Sequence, residues 1–128
     1  MIDAERLAHV RAALDPGGSA LDASDGTVVD AGLAYRHGEP VLIRVRRRGR
    51  RYDLSDDGGA LRLARRPPGW LERAERVVAA EGFNVNRRGV VFVPAVAGRD
   101  IAVLAVRLAD ASREVYLALL DLDDVVRP

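Results

Sequence analysis

The sequence predicts an α+β domain of two layers, an antiparallel sheet covered by helices, with elements in the order α-β-β-β-α-β-β-α. Three observations predict it. Thr27–Tyr35 and Val41–Leu54 alternate apolar and polar side chains, as half-buried strands do. Connections of a few residues, His37-Gly38-Glu39-Pro40 and Arg47-Arg48-Gly49-Arg50, join them, which suits antiparallel neighbours and is too short for a parallel crossover. Between Gly98 and Leu122, the residues Ile101, Leu104, Ala105, Leu108, Val115, Leu119 and Leu122 recur at three- and four-residue spacing, the pattern of a long amphipathic helix. The 128 residues make one domain: a helix and turn over 1–18, an α+β body over 19–122 and a tail over 123–128.

Each element has a local cause. Asp3 can cap a first helix in which Leu7, Val10, Ala13 and Leu14 share a face, and Asp15-Pro16-Gly17-Gly18 stops it. Ser19 to Gly26 is small and polar, a loop by composition. Val29, Ala31, Leu33 and Tyr35 form one face of the first strand. Val41, Ile43 and Val45 form the buried face of the second, with Leu42, Arg44 and Arg46 turned the other way, and Tyr52 and Leu54 carry the apolar face onto the third. Asp56-Asp57-Gly58-Gly59 leaves the sheet as a turn, and Leu61 and Leu63 pack beneath the connection. Pro67-Pro68 introduces a helix of about Pro68 to Glu81, with Leu71, Ala74, Val77 and Val78 inward and Gly82 as its stop. Phe83–Asn86 and Val90–Pro94 then flank Arg87-Arg88-Gly89 as a second hairpin. The start of the last segment, IAVLAVRL, suits a strand by composition as well as a helix.

Composition narrows the function classes. Without cysteine there are no disulfides and no thiolate metal sites, which fits a reducing cytoplasm. The segment MIDAERLAHV mixes acid and base without an apolar core, which argues against an export signal, and no apolar run approaches the roughly 20 residues of a membrane span. The net charge of +1 excludes a uniformly basic surface for nucleic acid or lipid. All 20 basic residues are nevertheless arginine, which the codon bias of a GC-rich genome produces and which selection of guanidinium for bidentate contacts would produce as well.

The run Tyr52-Asp53-Leu54-Ser55-Asp56-Asp57-Gly58 resembles a small family of uncharacterised bacterial and phage domains, in which a strand ends in a Tyr-x-Leu-(Ser/Thr)-Asp-x-Gly turn before a helix, a short hairpin and a C-terminal helix. The similarity covers about Gly26 to Leu122. That family has no established activity, so the resemblance implies a fold and no site. The order of elements is also similar to that of type III secretion chaperones and related peptide-binding proteins, which implies a dimer that receives extended partner segments.

Enzyme signatures are missing. Asp53, Asp56 and Asp57, with Asp25 and Asp30, offer oxygens for a hard cation, but the spacing fits no calcium loop and suits a turn held by Asx hydrogen bonds. His9 and His37 are isolated from each other, the serines (Ser19, Ser24, Ser55, Ser112) lie in no G-x-S-x-G elbow, and Gly17-Gly18 has no Walker lysine. No catalytic residue, metal or cofactor is expected. The arginines stand out instead: Arg44, Arg46, Arg47, Arg48, Arg50 and Arg51 fill six of eight positions, Arg62, Arg65 and Arg66 follow the acidic turn, and Arg87 and Arg88 form the second tip. Trp70 is the single tryptophan, placed at a helix start either to staple it or to anchor a partner. The expectation is a binding or adaptor module meeting a protein or peptide through the sheet edge and the Arg46–Arg51 hairpin. The runner-up is a nucleic-acid-binding protein using both arginine tips as phosphate clamps. A second apolar line on the last helix, Val103, Val106, Leu117 and Leu120, raises the expectation of a homodimer.

Overall fold

A computed structural model describes residues 3–14 and 26–126. The predicted stop at Asp15–Gly18, the loop from Ser19 to Asp25 and the last two residues lie outside them. The elements are α1 (Ala4–Leu14), β1 (Thr27–Ala34), β2 (Pro40–Arg48), β3 (Arg51–Ser55), α2 (Gly59–Ala64), α3 (Trp70–Ala79), β4 (Asn84–Val85), β5 (Val91–Val96) and α4 (Ile101–Val126). The strands form one antiparallel sheet in the order β1-β2-β3-β5-β4, and the helices pack against it, so the two-layer α+β fold is found.

Alternation decides which face is covered. Val29, Ala31, Val41, Ile43, Val45 and Leu54 are buried on the helix side, while Val28, Leu42, Arg46 and Arg48 are exposed on the other. α4 is the keystone: it touches β1, β2, β3 and β5 and all three other helices. Ala105, Leu108, Val115 and Leu119 make its inward stripe, so IAVLAVRL is helix throughout. Of the second apolar line, Val106 is fully buried within the chain and Val103, Leu117 and Leu120 are half-buried. No helix is long and apolar enough to cross a membrane among the described residues.

Asp3 caps α1 as its position predicts, its Oδ1 accepting from the amides of Glu5 (2.9 Å) and Arg6 (3.2 Å). Val10 is the buried residue of that helix; Ala13, expected on the same face, is exposed. The principal addition to the predicted order is α2. Its six residues follow Gly58, which takes φ +76°, and Gly59, whose added Cβ would stand 2.8 Å from the Tyr35 hydroxyl. A helix this short shows no periodicity; Leu61 and Leu63, expected beneath the connection, do pack inward, Leu61 buried and Leu63 half-buried against the core.

β1 is irregular at its edge. Its register with β2 shifts between Asp30 and Ala34, where Gly32 takes φ +72° and its amide donates to Asp30 Oδ1. Arg6 Nε donates to the Ala31 carbonyl at 3.0 Å, and Arg113 Nε to that of Ala34 at 2.9 Å. Two arginines that no charge-based reading singles out therefore tie α1 and α4 to this strand, with Arg6 also paired to Asp110 at 2.8 Å.

Candidate functional site

The acidic run is pulled apart by its own strand. Asp53, Asp56 and Asp57 each serve a different partner, and among the described residues no group of His, Asp and Glu is arranged to hold a metal. Asp53 receives two bonds from Arg48 (2.8 and 3.1 Å) and one from the amide of Ala95, the bulge residue of β5 with φ +58°. The Arg48 guanidinium holds the Asp53 carboxyl below its ordinary value. Asp57 is exposed and pairs with Arg44 at 2.7 Å.

Asp56 turns inward and is 3 % exposed. Its Oδ1 accepts from the amides of Gly58 (2.8 Å) and Val91 (3.0 Å), and its Oδ2 from the Ser112 hydroxyl at 2.6 Å. Ser112 in turn lies 2.6 Å from the Tyr35 hydroxyl, and the Tyr35 ring meets Tyr116 edge-on at 5.2 Å. Burial pushes the Asp56 carboxyl up, against the opposing pull of Ser112 and the backbone amides. Burial likewise pushes the Tyr35 phenol above its ordinary value. This chain of polar groups joins β3, α2, β5, α4 and the end of β1, so the Ser-Asp-x-Gly turn is a structural clamp. Sequence reading missed it, although one signal existed: Ser112 interrupts the inward stripe between Leu108 and Val115.

The arginines divide into two groups at opposite ends of the sheet. β3 starts at the Arg47–Arg50 tip beside Val96 and ends at Ser55 beside Phe92, so the Arg87-Arg88-Gly89 turn that precedes β5 lies at the far end. The length of β5 separates them, about 20 Å. The two tips cannot close on one phosphate group.

In the hairpin, register sets the environment. Arg44, Arg46 and Arg48 lie opposite Ser55, Asp53 and Arg51 on the open face. Arg44 and Arg48 are ion-paired there, and Arg47, on the face of Tyr52, donates to the Gly49 carbonyl. Tyr52 itself is half-buried against the core. Arg46, Arg50 and Arg51 are exposed and pair with no carboxylate among the described residues. Val28, opposite Arg44, and Leu42 are 44 % and 42 % exposed, and they are the exposed large hydrophobics of the described residues.

At the far end, Arg65 and Arg66 follow α2, and Arg66 meets the β4–β5 turn. Asn86 builds that turn, its Oδ1 accepting from the amides of Arg88 (3.0 Å) and Val90 (3.1 Å). Gly89 takes φ +83°, and a Cβ on it would stand 2.8 Å from Leu61 and 3.2 Å from the Arg66 guanidinium. Arg66 donates to the Arg88 carbonyl, and its guanidinium carbon lies 5.2 Å from the centre of the Trp70 ring. Trp70 is half-buried against the core. Among the described residues, none of Arg65, Arg66, Arg87 and Arg88 pairs with a carboxylate, whereas Arg62 reaches Glu39 at 3.6 Å.

His9 and His37 are exposed and apart, on α1 and in the turn before β2. An open groove of about 800 Å³ lies against α4, its lining including Leu33, Val77, Val103 and the Arg107–Glu81 pair. Searches with the chain against family models, curated proteins and solved structures give no match.

Proposed function

We propose that this chain is a non-enzymatic binding module that receives an acidic protein or peptide segment on the open face of its sheet, beside the arginine hairpin. One observation carries the reading: Val28 and Leu42 stand exposed on the same face as Arg44, Arg46 and Arg48. Apolar anchors beside guanidinium groups are what a protein partner of opposite charge uses, the first for affinity and the second for orientation and rate. The face is favoured over the edge. β1 is bulged and its carbonyls at Ala31 and Ala34 are engaged by Arg6 and Arg113, while β4 has two residues. A partner strand needs a longer regular edge than either supplies.

Selection from a displayed random-peptide library tests this. The expected winners carry Asp or Glu around one or two large apolar residues, and their binding is lost in Leu42→Ser and weakened in Arg46→Ala/Arg51→Ala. Winners without acidic bias, or binding that survives Leu42→Ser, would sink the reading. The proposed homodimer rests on Val103, Leu117 and Leu120 of α4, half-buried within one chain. Sedimentation that shows only monomer at tens of micromolar removes it.

A further inference from the structure

We propose a second binding site at the opposite end of the molecule, formed by Arg65, Arg66, Arg87, Arg88 and Trp70, whose ligand is a single-stranded nucleic acid. It does not rest on the sheet-face reading, because none of its residues belongs to that face.

Four observations lead there. The four arginines come from two chain segments more than twenty residues apart, and the fold fastens those segments together through the Arg66–Arg88 hydrogen bond and the fit of Gly89 on Leu61. Like charges brought together in this way repel, and among the described residues none of the four forms an ion pair with a carboxylate. The cluster therefore keeps positive charge that no ion pair engages, unlike Arg44 and Arg48 in the hairpin. Second, the support is built: Asn86 fixes the turn that presents Arg87 and Arg88, and Arg66 is held in place over the indole. A ligand meeting these groups finds part of the ordering already done.

Third, the cluster contains an aromatic ring with a guanidinium against it, a surface on which a base can stack while the surrounding arginines take phosphates. Fourth, among the described residues the patch shows no exposed large aliphatic of the kind a protein partner uses as an anchor. The exposed large hydrophobics, Val28 and Leu42, belong to the open sheet face, which leaves half-buried Trp70 as the aromatic here. Arginine with a ring, and with no exposed large aliphatic beside it among the described residues, favours a phosphate chain bearing bases over an acidic protein. A single strand is favoured over a duplex because its bases are free to stack.

Trp70 makes the test direct, because it is the only tryptophan and its emission reports this site alone. The full chain is titrated with oligouridylate of about 12 nucleotides, within the usual site sizes, between about 50 and 200 mM salt. The expected result is saturable quenching of Trp70 emission with an affinity that falls as salt rises. Arg87→Ala/Arg88→Ala, at exposed positions, is expected to weaken binding at least tenfold at low salt and to lower the log–log salt slope by about 1.4, or about 0.7 for each phosphate contact removed. Trp70→Ala, followed with an end-labelled strand, is expected to cost roughly five- to hundredfold. Trp70→Phe keeps a ring and retains most of the affinity, which separates lost stacking from lost folding. The hairpin variant Arg46→Ala/Arg50→Ala/Arg51→Ala is expected to bind as the unaltered chain does.

No quenching at the lowest salt overturns the proposal, as does binding that the hairpin variant abolishes and the Arg87→Ala/Arg88→Ala variant spares. Equal quenching by polyglutamate at matched charge also overturns it, and would assign the cluster to an acidic protein.

Discussion

The two arginine clusters differ most in what surrounds them. The hairpin packs six arginines into eight positions, yet the fold sets carboxylates beside two of them, Asp57 from the turn after β3 against Arg44 and Asp53 from β3 itself against Arg48. The far cluster has fewer arginines, drawn from two distant segments, and no carboxylate partner among the described residues. Density of a charged residue along the chain therefore overstates the charge available to a ligand. A β-ribbon places neighbours across strands, and their identity decides how much of each charge is spent internally. The neighbours also differ in polarity: Val28 and Leu42 flank the first cluster, and an indole ring sits within the second.

The strongest way to break this comparison is to remove the anchor common to both. Asp56 ends the strand that begins at the hairpin and fixes Val91, just after the far turn. Asp56→Ala leaves two backbone amides and the Ser112 hydroxyl without their acceptor, so a loss of about 3 kcal/mol or more is expected in urea denaturation. Both binding activities should fall together as the protein unfolds. Asp56→Asn, which keeps an acceptor toward Gly58 and Val91, should lose markedly less. Equal losses for the two variants would show that the hydrogen bonds are not what matters at this position.

Gly89→Ala attacks one side alone. The substituted residue must hold φ +83° and push against Leu61 at 2.8 Å, for an expected cost of about 1–3 kcal/mol. In conditions where the variant is still folded, strand binding at the far end should weaken while peptide binding at the sheet face persists. If both persist unchanged, the turn is not what organises the far cluster.

pH sharpens the contrast within β3 and its exit, through two aspartates three residues apart. Asp56 has its pKa raised by burial. Its neutral form is favoured by folding, so this contribution is fully present below the unfolded value of about 3.9 and is lost as pH rises through the higher folded value. Asp53 is shifted the other way, chiefly by Arg48. Its contribution is present above the unfolded value and is lost as pH falls through the lower folded one. In stability measured against pH, Asp56→Asn should therefore remove a decline on the alkaline side of about pH 4, and Asp53→Asn should remove a decline on the acid side. Identical pH profiles for the two variants would refute the assignment.

The smallest effect is the most direct comparison of the clusters. Arg48→Ala should lower the melting temperature slightly, and added salt should erase the difference, because an exposed pair is involved. Arg88→Ala should leave the melting temperature unchanged or raise it slightly at low salt, since it relieves repulsion. A larger loss for Arg88→Ala than for Arg48→Ala would mean that the far cluster is internally compensated after all.

The sequence discloses the sheet and the long helix because both repeat. Val41, Ile43 and Val45 alternate with outward residues, and the inward stripe of α4 returns every three or four positions. It discloses neither α2, which is too short to show a period, nor the β5 bulge at Ala95, whose positive φ belongs to a residue that seldom adopts it. The clamp is half legible: Asp56 reads as one more turn residue, and only the polar break at Ser112 hints that a buried acceptor awaits it. The far cluster is invisible for a different reason. Arg66 and Arg88 lie 22 residues apart, and the contact that unites them depends on where α2 lies beneath Gly89. Arg87, Arg88 and Trp70 are recognisable as candidates from the sequence, but their shared location is a tertiary fact.

The bulge in β1, with its carbonyls held by Arg6 and Arg113, also governs how copies of this protein meet in a crowded solution. An outer strand that is regular and unoccupied is a template on which other chains stack into fibrils. Here one boundary of the sheet is kinked and fastened by guanidinium groups, and the other ends after two residues, so neither offers a run long enough for stacking to begin. The protein can thus keep a sheet face that none of the described helices covers without that sheet growing from one molecule into the next.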